Sequence, residues 1–189
     1  MAGDVVAPES PVLLLGDPRL RLRSAEVTNF DRPDVRSACA SLGTTLQAFR
    51  ARHGFGRAIS APQIGIALRV IAVNLGDGPF FVVNPRVTGA SGASFSMWDD
   101  CMSFPGLLVR VLRDRSISLA YEDESGAARE WNAMGLAASE LLQHEIDHLD
   151  GILAIDRAID REAIVLREVW EARRREMRAL VDYEIGETP

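Results

Sequence analysis

The sequence predicts an α+β fold, with mixed or antiparallel sheets packed around a central H-E-x-x-H helix, one helix before the strands and one after. Three observations carry this reading. Residues 34–53 repeat apolar side chains every three to four positions, the middle third holds β-rich runs, and 136–149 is rich in helix formers with no Gly or Pro. At 189 residues, 47% hydrophobic and 25% charged, the chain is expected to be a single domain over 1–189 with a flexible N-terminus over 1–10. A domain of this size folds without disulfides or a structural metal, so a metal here would be functional.

The elements follow in order. Residues 11–28 place a short apolar run before the turn Gly16-Asp17-Pro18, which reads as an extended arm lying along the domain. In 34–53 the stripe is Val35, Cys39, Leu42, Leu46 and Phe49, with Gly54 as the stop. Cys39 lies on that stripe and reads as core, while His53 in the last turn complements the negative helix end. Strands are expected at 68–75, 80–84, 107–112 and 116–121, with further pairing around 129–131. Helix 136–149 stops before Gly151. A C-terminal helix is expected over 160–184, with Ile164, Leu166, Val169, Met177, Leu180 and Val181 as an incomplete apolar face and arginines 173–175 solvated.

Composition narrows the function. A net charge of −6 opposes the counterion release that drives nucleic-acid binding, so no direct nucleic-acid contact is expected. All 21 basic residues are arginine, which removes lysine nucleophiles and Schiff bases. Two cysteines, no basic and apolar leader, and no apolar run of roughly 18 residues point to the cytoplasm and away from the membrane.

Chemistry concentrates at His144-Glu145-Ile146-Asp147-His148. On a helix the i, i+4 spacing turns both imidazoles to one face, where they can meet one metal, and Glu145 can take a proton from bound water. A catalytic site needs a third ligand, and Cys101 is the leading candidate. Its rival uses are a buried neutral thiol or a nucleophile activated by histidine, though the latter leaves the second histidine unexplained. Gln63, in the Gly-flanked segment Ser60-Ala61-Pro62-Gln63-Ile64-Gly65, carries an amide able to donate to an oxyanion.

Three stretches taken together resemble the peptide deformylases, whose ordered motifs are G-h-G-h-A-A-P-Q-h-G, E-G-C-L-S and Q-H-E-h-D-H-L, with h apolar. The corresponding segments are GRAISAPQIG at 56–65, DDCMS at 99–103 and QHEIDHL at 143–149, and the segment from Gly16 to Arg21 also looks like the start of family members. The resemblance runs from about residue 12 to about 155. It implies that Cys101, His144 and His148 hold one divalent metal, ferrous iron foremost, with Zn2+, Ni2+ or Co2+ able to occupy the site. It also implies Glu145 as general base, Gln63 and the backbone N–H of Met102 as oxyanion donors, and removal of the N-formyl group from the initiator methionine of new polypeptides. The implied partners are the formylated nascent peptide and, transiently, the ribosome.

The departures surround the expected substrate groove. Asp99 and Asp100 stand where the family has Glu-Gly, and Arg57, Ala58 and Ser60 replace apolar, Gly and Ala residues. Asp100 and Ala58 are expected to narrow the groove. Arg57 is expected to pair with an acid, engage a substrate carboxylate or, most simply, be a solvated loop residue. Asp99 is expected to pair with Arg113 and so position the Cys101 segment. The competing functions are a related metal amidohydrolase acting on another N-formyl or N-acyl compound, and a deformylase-like binding protein without useful turnover. A zinc endopeptidase would place its third ligand after the helix.

Overall fold

Eight strands and four α-helices make up residues 9–186, the part of the chain that the computed structural model describes. Helix α1, Pro33–His53, opens with Pro33 in its first turn and ends where Gly54 adopts a left-handed φ of 74°. Its buried face includes Val35, Cys39, Leu42, Leu46 and Phe49, the residues that the helical period selects. Strands β1 (Ala58–Ser60), β2 (Val70–Val73) and β3 (Phe80–Ala90) join β6 (Ile117–Glu122) and β7 (Ala128–Trp131) in one sheet ordered β1-β2-β3-β6-β7. Strands β4 (Ser94–Asp99), β5 (Leu107–Asp114) and β8 (Ile164–Leu166) form a second sheet. All strand pairings within both sheets are antiparallel, which settles the choice between mixed and antiparallel.

Helix α2, Leu136–Leu149, coincides with the expected span and contacts both β1 and β5, so it touches the two sheets. Leu141, Leu142 and Leu149 anchor it against Ile71, Val73 and Leu119 of the first sheet. The arm before α1 stitches two loops together: Leu13 N donates to Gln63 O at 2.7 Å and Leu15 N to Ser103 O at 2.8 Å.

Three expectations need correction. Strands β1, β4 and β8 lie outside the runs read as strands, because β1 and β8 are three residues long and β4 loses its alternation at the consecutive buried residues Met97, Trp98 and Asp99. Strand β3 continues past Asn84-Pro85, where Asn84 takes a positive φ of 48° and a register shift falls between Val83 and Arg86. The Asn84 side chain holds that kink by exchanging bonds of 2.9 and 2.8 Å with the Val27 backbone.

The expected helix over 160–184 is instead β8 followed by two short helices, α3 (Arg167–Ala172) and α4 (Arg174–Arg178). The run Ile164-Val165-Leu166 finds the open edge of β5, and Arg173 leaves helical geometry at φ −118°, ψ 27°. Beyond α4 the chain turns along β4, where Asp182 N and Tyr183 N both donate to Ser96 O. Residues 1–8 of the expected flexible terminus lie outside the described residues, whereas Ser10 N bonds Thr45 Oγ1 at 3.0 Å and Glu9 pairs with Arg52, both on α1.

Candidate active site

Strand β4 delivers Asp99 and, two residues later, Cys101. The turn is closed by Phe104 N donating to Cys101 O at 3.1 Å and Ser103 N approaching Cys101 Sγ at 3.4 Å. Helix α2 brings His144 and His148 to the same place. One ligand atom from each of Cys101, His144 and His148 lies within 4.8 Å of the others, and all three residues are buried. Cys101 Sγ stands 3.2 Å from His148 Nε2. A thiolate and two imidazoles are a donor set that fits a borderline-soft divalent ion, with a position left over for water or substrate.

The imidazoles are held from behind. His144 Nδ1 bonds Asp99 Oδ2 at 3.0 Å, which fixes the ring and leaves Nε2 for a ligand bond. Asp99 in turn accepts from Arg113 Nη2 at 2.9 Å, so the expected pair is present, and Arg113 Nη1 reaches Asp147 Oδ2 at 2.6 Å. Burial alone would raise the Asp99 carboxyl, but the neighbouring His144 and Arg113 charges override it and hold the group well below the usual carboxylate range. Burial and the neighbouring His144 charge push the His148 imidazole well below its ordinary value.

Glu145 is buried and its Oε2 accepts from Ser60 Oγ at 2.5 Å. Burial raises its carboxyl against the lowering influence of His144 and Ser60, a direction suited to a group that must accept a proton. Gln63 sits in the short 3-10 turn after β1; its Oε1 accepts from Ser60 N at 2.9 Å, which aims Nε2 at Cys101 Sγ, 3.6 Å away, and Ser103 Oγ, 3.3 Å away. Gln63, Cys101, Met102, His144 and Glu145 thus line one cavity of about 270 Å³.

The three expected groove residues, Arg57, Ala58 and Asp100, line the same cavity. Arg57 is not a solvated loop residue: its guanidinium donates to Ala137 O at 3.0 Å and to Glu140 Oε1 at 2.5 Å, with most of the side chain shielded from water. The reason is the carboxyl of Glu140, buried and pushed up to about 7 by burial against the pull of Arg57. Asp100 turns toward Arg167 Nη2 at 3.0 Å. Sequence reasoning missed Glu140, although it lies one helical turn before His144, and it missed Arg167, Tyr183 and the C-terminal segment that walls the cavity.

Residues 9–163 match the family model described as polypeptide deformylase. A peptide deformylase of Thermotoga neapolitana is 34% identical over 157 residues, covering 83% of this chain and 92% of that protein. One from Prochlorococcus marinus is 37% identical over 160 residues, 82% of this chain and 76% of that protein. Among solved structures, the Thermotoga maritima peptide deformylase superposes with a TM-score of 0.73 at 31% identity, covering 81% of this chain and 99% of that one. The Synechococcus elongatus enzyme in complex with actinonin gives 0.74 at 28% identity, covering 91% and 92%.

Proposed function

The chain belongs to the peptide deformylase family and is a metal-dependent amide hydrolase that removes the N-formyl group from nascent peptides; from that premise we propose that Cys101, His144 and His148 hold the metal and that Glu145, Gln63 and Met102 perform the chemistry. The observation that carries the assignment is the buried Cys-His-His cluster with the Glu145 carboxyl on the same helix. A divalent ion bound there supplies a water of lowered pKa and polarises the formyl oxygen.

The chain's own groups account for the remaining work. Glu145 takes the proton from the attacking water and passes it to the amine as the C–N bond breaks, so that formate and a free N-terminus leave. Ser60 holds the carboxylate in place for both transfers. The Gln63 amide and the Met102 backbone N–H donate to the oxygen as charge develops on it, each such donor being worth about 3–4 kcal/mol in comparable hydrolases. Asp99 and Arg113 orient His144.

Ferrous iron is the ion the family resemblance implies, and the same donors suit Zn2+, Ni2+ or Co2+. Among the described residues no helix is long and apolar enough to cross a membrane. The test is anaerobic reconstitution with each metal, followed by formate release from formyl-Met-Ala-Ser and metal analysis of the same sample. Turnover is expected at one metal per chain. Glu145→Gln should keep the metal and lose at least a hundredfold in kcat. Full turnover in Glu145→Gln, or a chain that binds no metal once Cys101 is free and reduced, overturns the assignment.

A further inference from the structure

The Arg57–Glu140 pair takes no part in holding the metal or moving the proton, yet both side chains face the cavity that contains Cys101, His144 and Glu145. Glu140 stands at i−4 from His144, so α2 presents both side chains on one face, with Cβ atoms about 6 Å apart. Arg57, immediately before β1, meets Glu140 there. Their side chains are 11% and 2% exposed. Well-packed apolar residues of similar volume would serve stability as well as a buried ion pair does, so charge at this wall calls for another explanation.

The chemistry of the wall supplies one. The side chain of a substrate's first residue branches one atom from the formylated nitrogen, so when the formyl group sits beside Glu145 and Cys101 that side chain must rest on the adjoining cavity wall. Glu140 uses one oxygen on Arg57 and keeps acceptor capacity on its carboxyl. Beside it, Leu141 and Tyr183 line the cavity with apolar surface. We infer that Arg57 and Glu140 form the wall of the subsite for the substrate's first side chain and let it accept a polar, hydrogen-bond-donating side chain as well as an apolar one. The inference rests on the deformylase reading and extends it to N-formyl peptides that begin with residues other than methionine. An apolar wall would strip water from such a side chain without replacing its bonds, whereas the Glu140 carboxyl replaces one of them.

The experiment compares kcat/KM for formyl-Met-Ala-Ser and formyl-Gln-Ala-Ser, whose first side chains are similar in length. The metal-loaded wild type is expected to use the two within about tenfold of each other. In Arg57→Leu/Glu140→Leu, where both charges leave together and none is stranded, the glutamine substrate should fall at least tenfold relative to the methionine one. A ratio unchanged by the double substitution overturns the inference. Should that variant not fold, the wild type alone decides, since a preference for methionine beyond about tenfold overturns it as well. Absence of formate from both peptides sinks the deformylase reading and this inference with it, whereas turnover of the methionine peptide alone sinks only the inference.

Discussion

Asp147 receives two arginines from two sides, and comparing them isolates what burial does to an ion pair. Arg113 is 4% exposed and bridges Asp147 to Asp99, while Arg157, 48% exposed, reaches the other Asp147 oxygen at 2.7 Å. Arg113→Met removes the buried cation and strands Asp99, whose remaining partner is His144, so the cost should be that of breaking a buried pair, about 3–5 kcal/mol. For a chain of this length each kcal/mol moves Tm by about 2–4 °C, which puts the loss at roughly 6–20 °C. Arg157→Met leaves Asp147 paired with Arg113 and should cost no more than about 1 kcal/mol, because solvent already screens that pair. Urea unfolding followed by tryptophan fluorescence, with chelator present throughout, measures both without interference from metal. Arg113→Met should also weaken metal binding by about 10–100-fold through the loosened His144, with Arg157→Met near wild type. If the two variants lose equal stability, the claim that the Asp99–Arg113–Asp147 chain organises the site is wrong.

Further outcomes follow from single contacts. Gly151 takes a φ of 74° just after α2, and an added Cβ would sit 2.5 Å from the Arg21 carbonyl oxygen, so Gly151→Ala should cost on the order of 1–3 kcal/mol; an unchanged Tm would show that the arm yields freely. Burial, then the nearby Glu124 charge, pushes the Cys39 thiol up to about 11, so iodoacetamide at pH 8 should leave Cys39 unmodified until urea unfolds the protein; peptide mass spectrometry reads this, and labelling of the folded chain would refute it. Glu140, pushed up to about 7 in the folded protein from an ordinary 4.5, contributes stability that is fully present below about 4.5 and lost as pH rises through about 7. Glu140→Gln does not titrate, so its stability relative to wild type should rise between pH 5 and pH 8; a flat difference across that range would refute the assignment of the shift to this carboxyl.

The fold was legible where the signal is local. Helix α1 is bounded by Pro33 and Gly54, and α2 runs over a stretch without helix breakers, so the 3.6-residue period suffices for both. It fails over 160–184 because the apolar residues there serve different elements. Val165 packs with Trp98, Leu108 and Met177, while Ile164 and Leu166 lie largely exposed on the other side of β8. A strand of three residues at a sheet edge takes its identity from the strand it pairs with, here β5, about 55 residues earlier.

The site divides along the same line. His144 and His148 were legible because their spacing is local and α2 converts it into one face. Glu145 was legible from its place beside the first histidine, but Glu140 and Asp147 were not, because a helix bearing these three acids reads as a solvated surface by composition, and yet all three are buried. Each is buried only because a specific partner arrives from elsewhere in the chain: Arg57 for Glu140, Ser60 for Glu145, and Arg113 for Asp147. Two of those partners, Arg57 and Ser60, are also departures from the family pattern in the first motif. The neighbourhood of α2 in this chain is therefore a joint property of both motifs, and substitutions at 57 and 60 have to be read together with 140 and 145. Replacing Ser60 by the family's Ala would leave Glu145 without the hydroxyl that holds it, while replacing Arg57 alone would strand Glu140 as a buried acid.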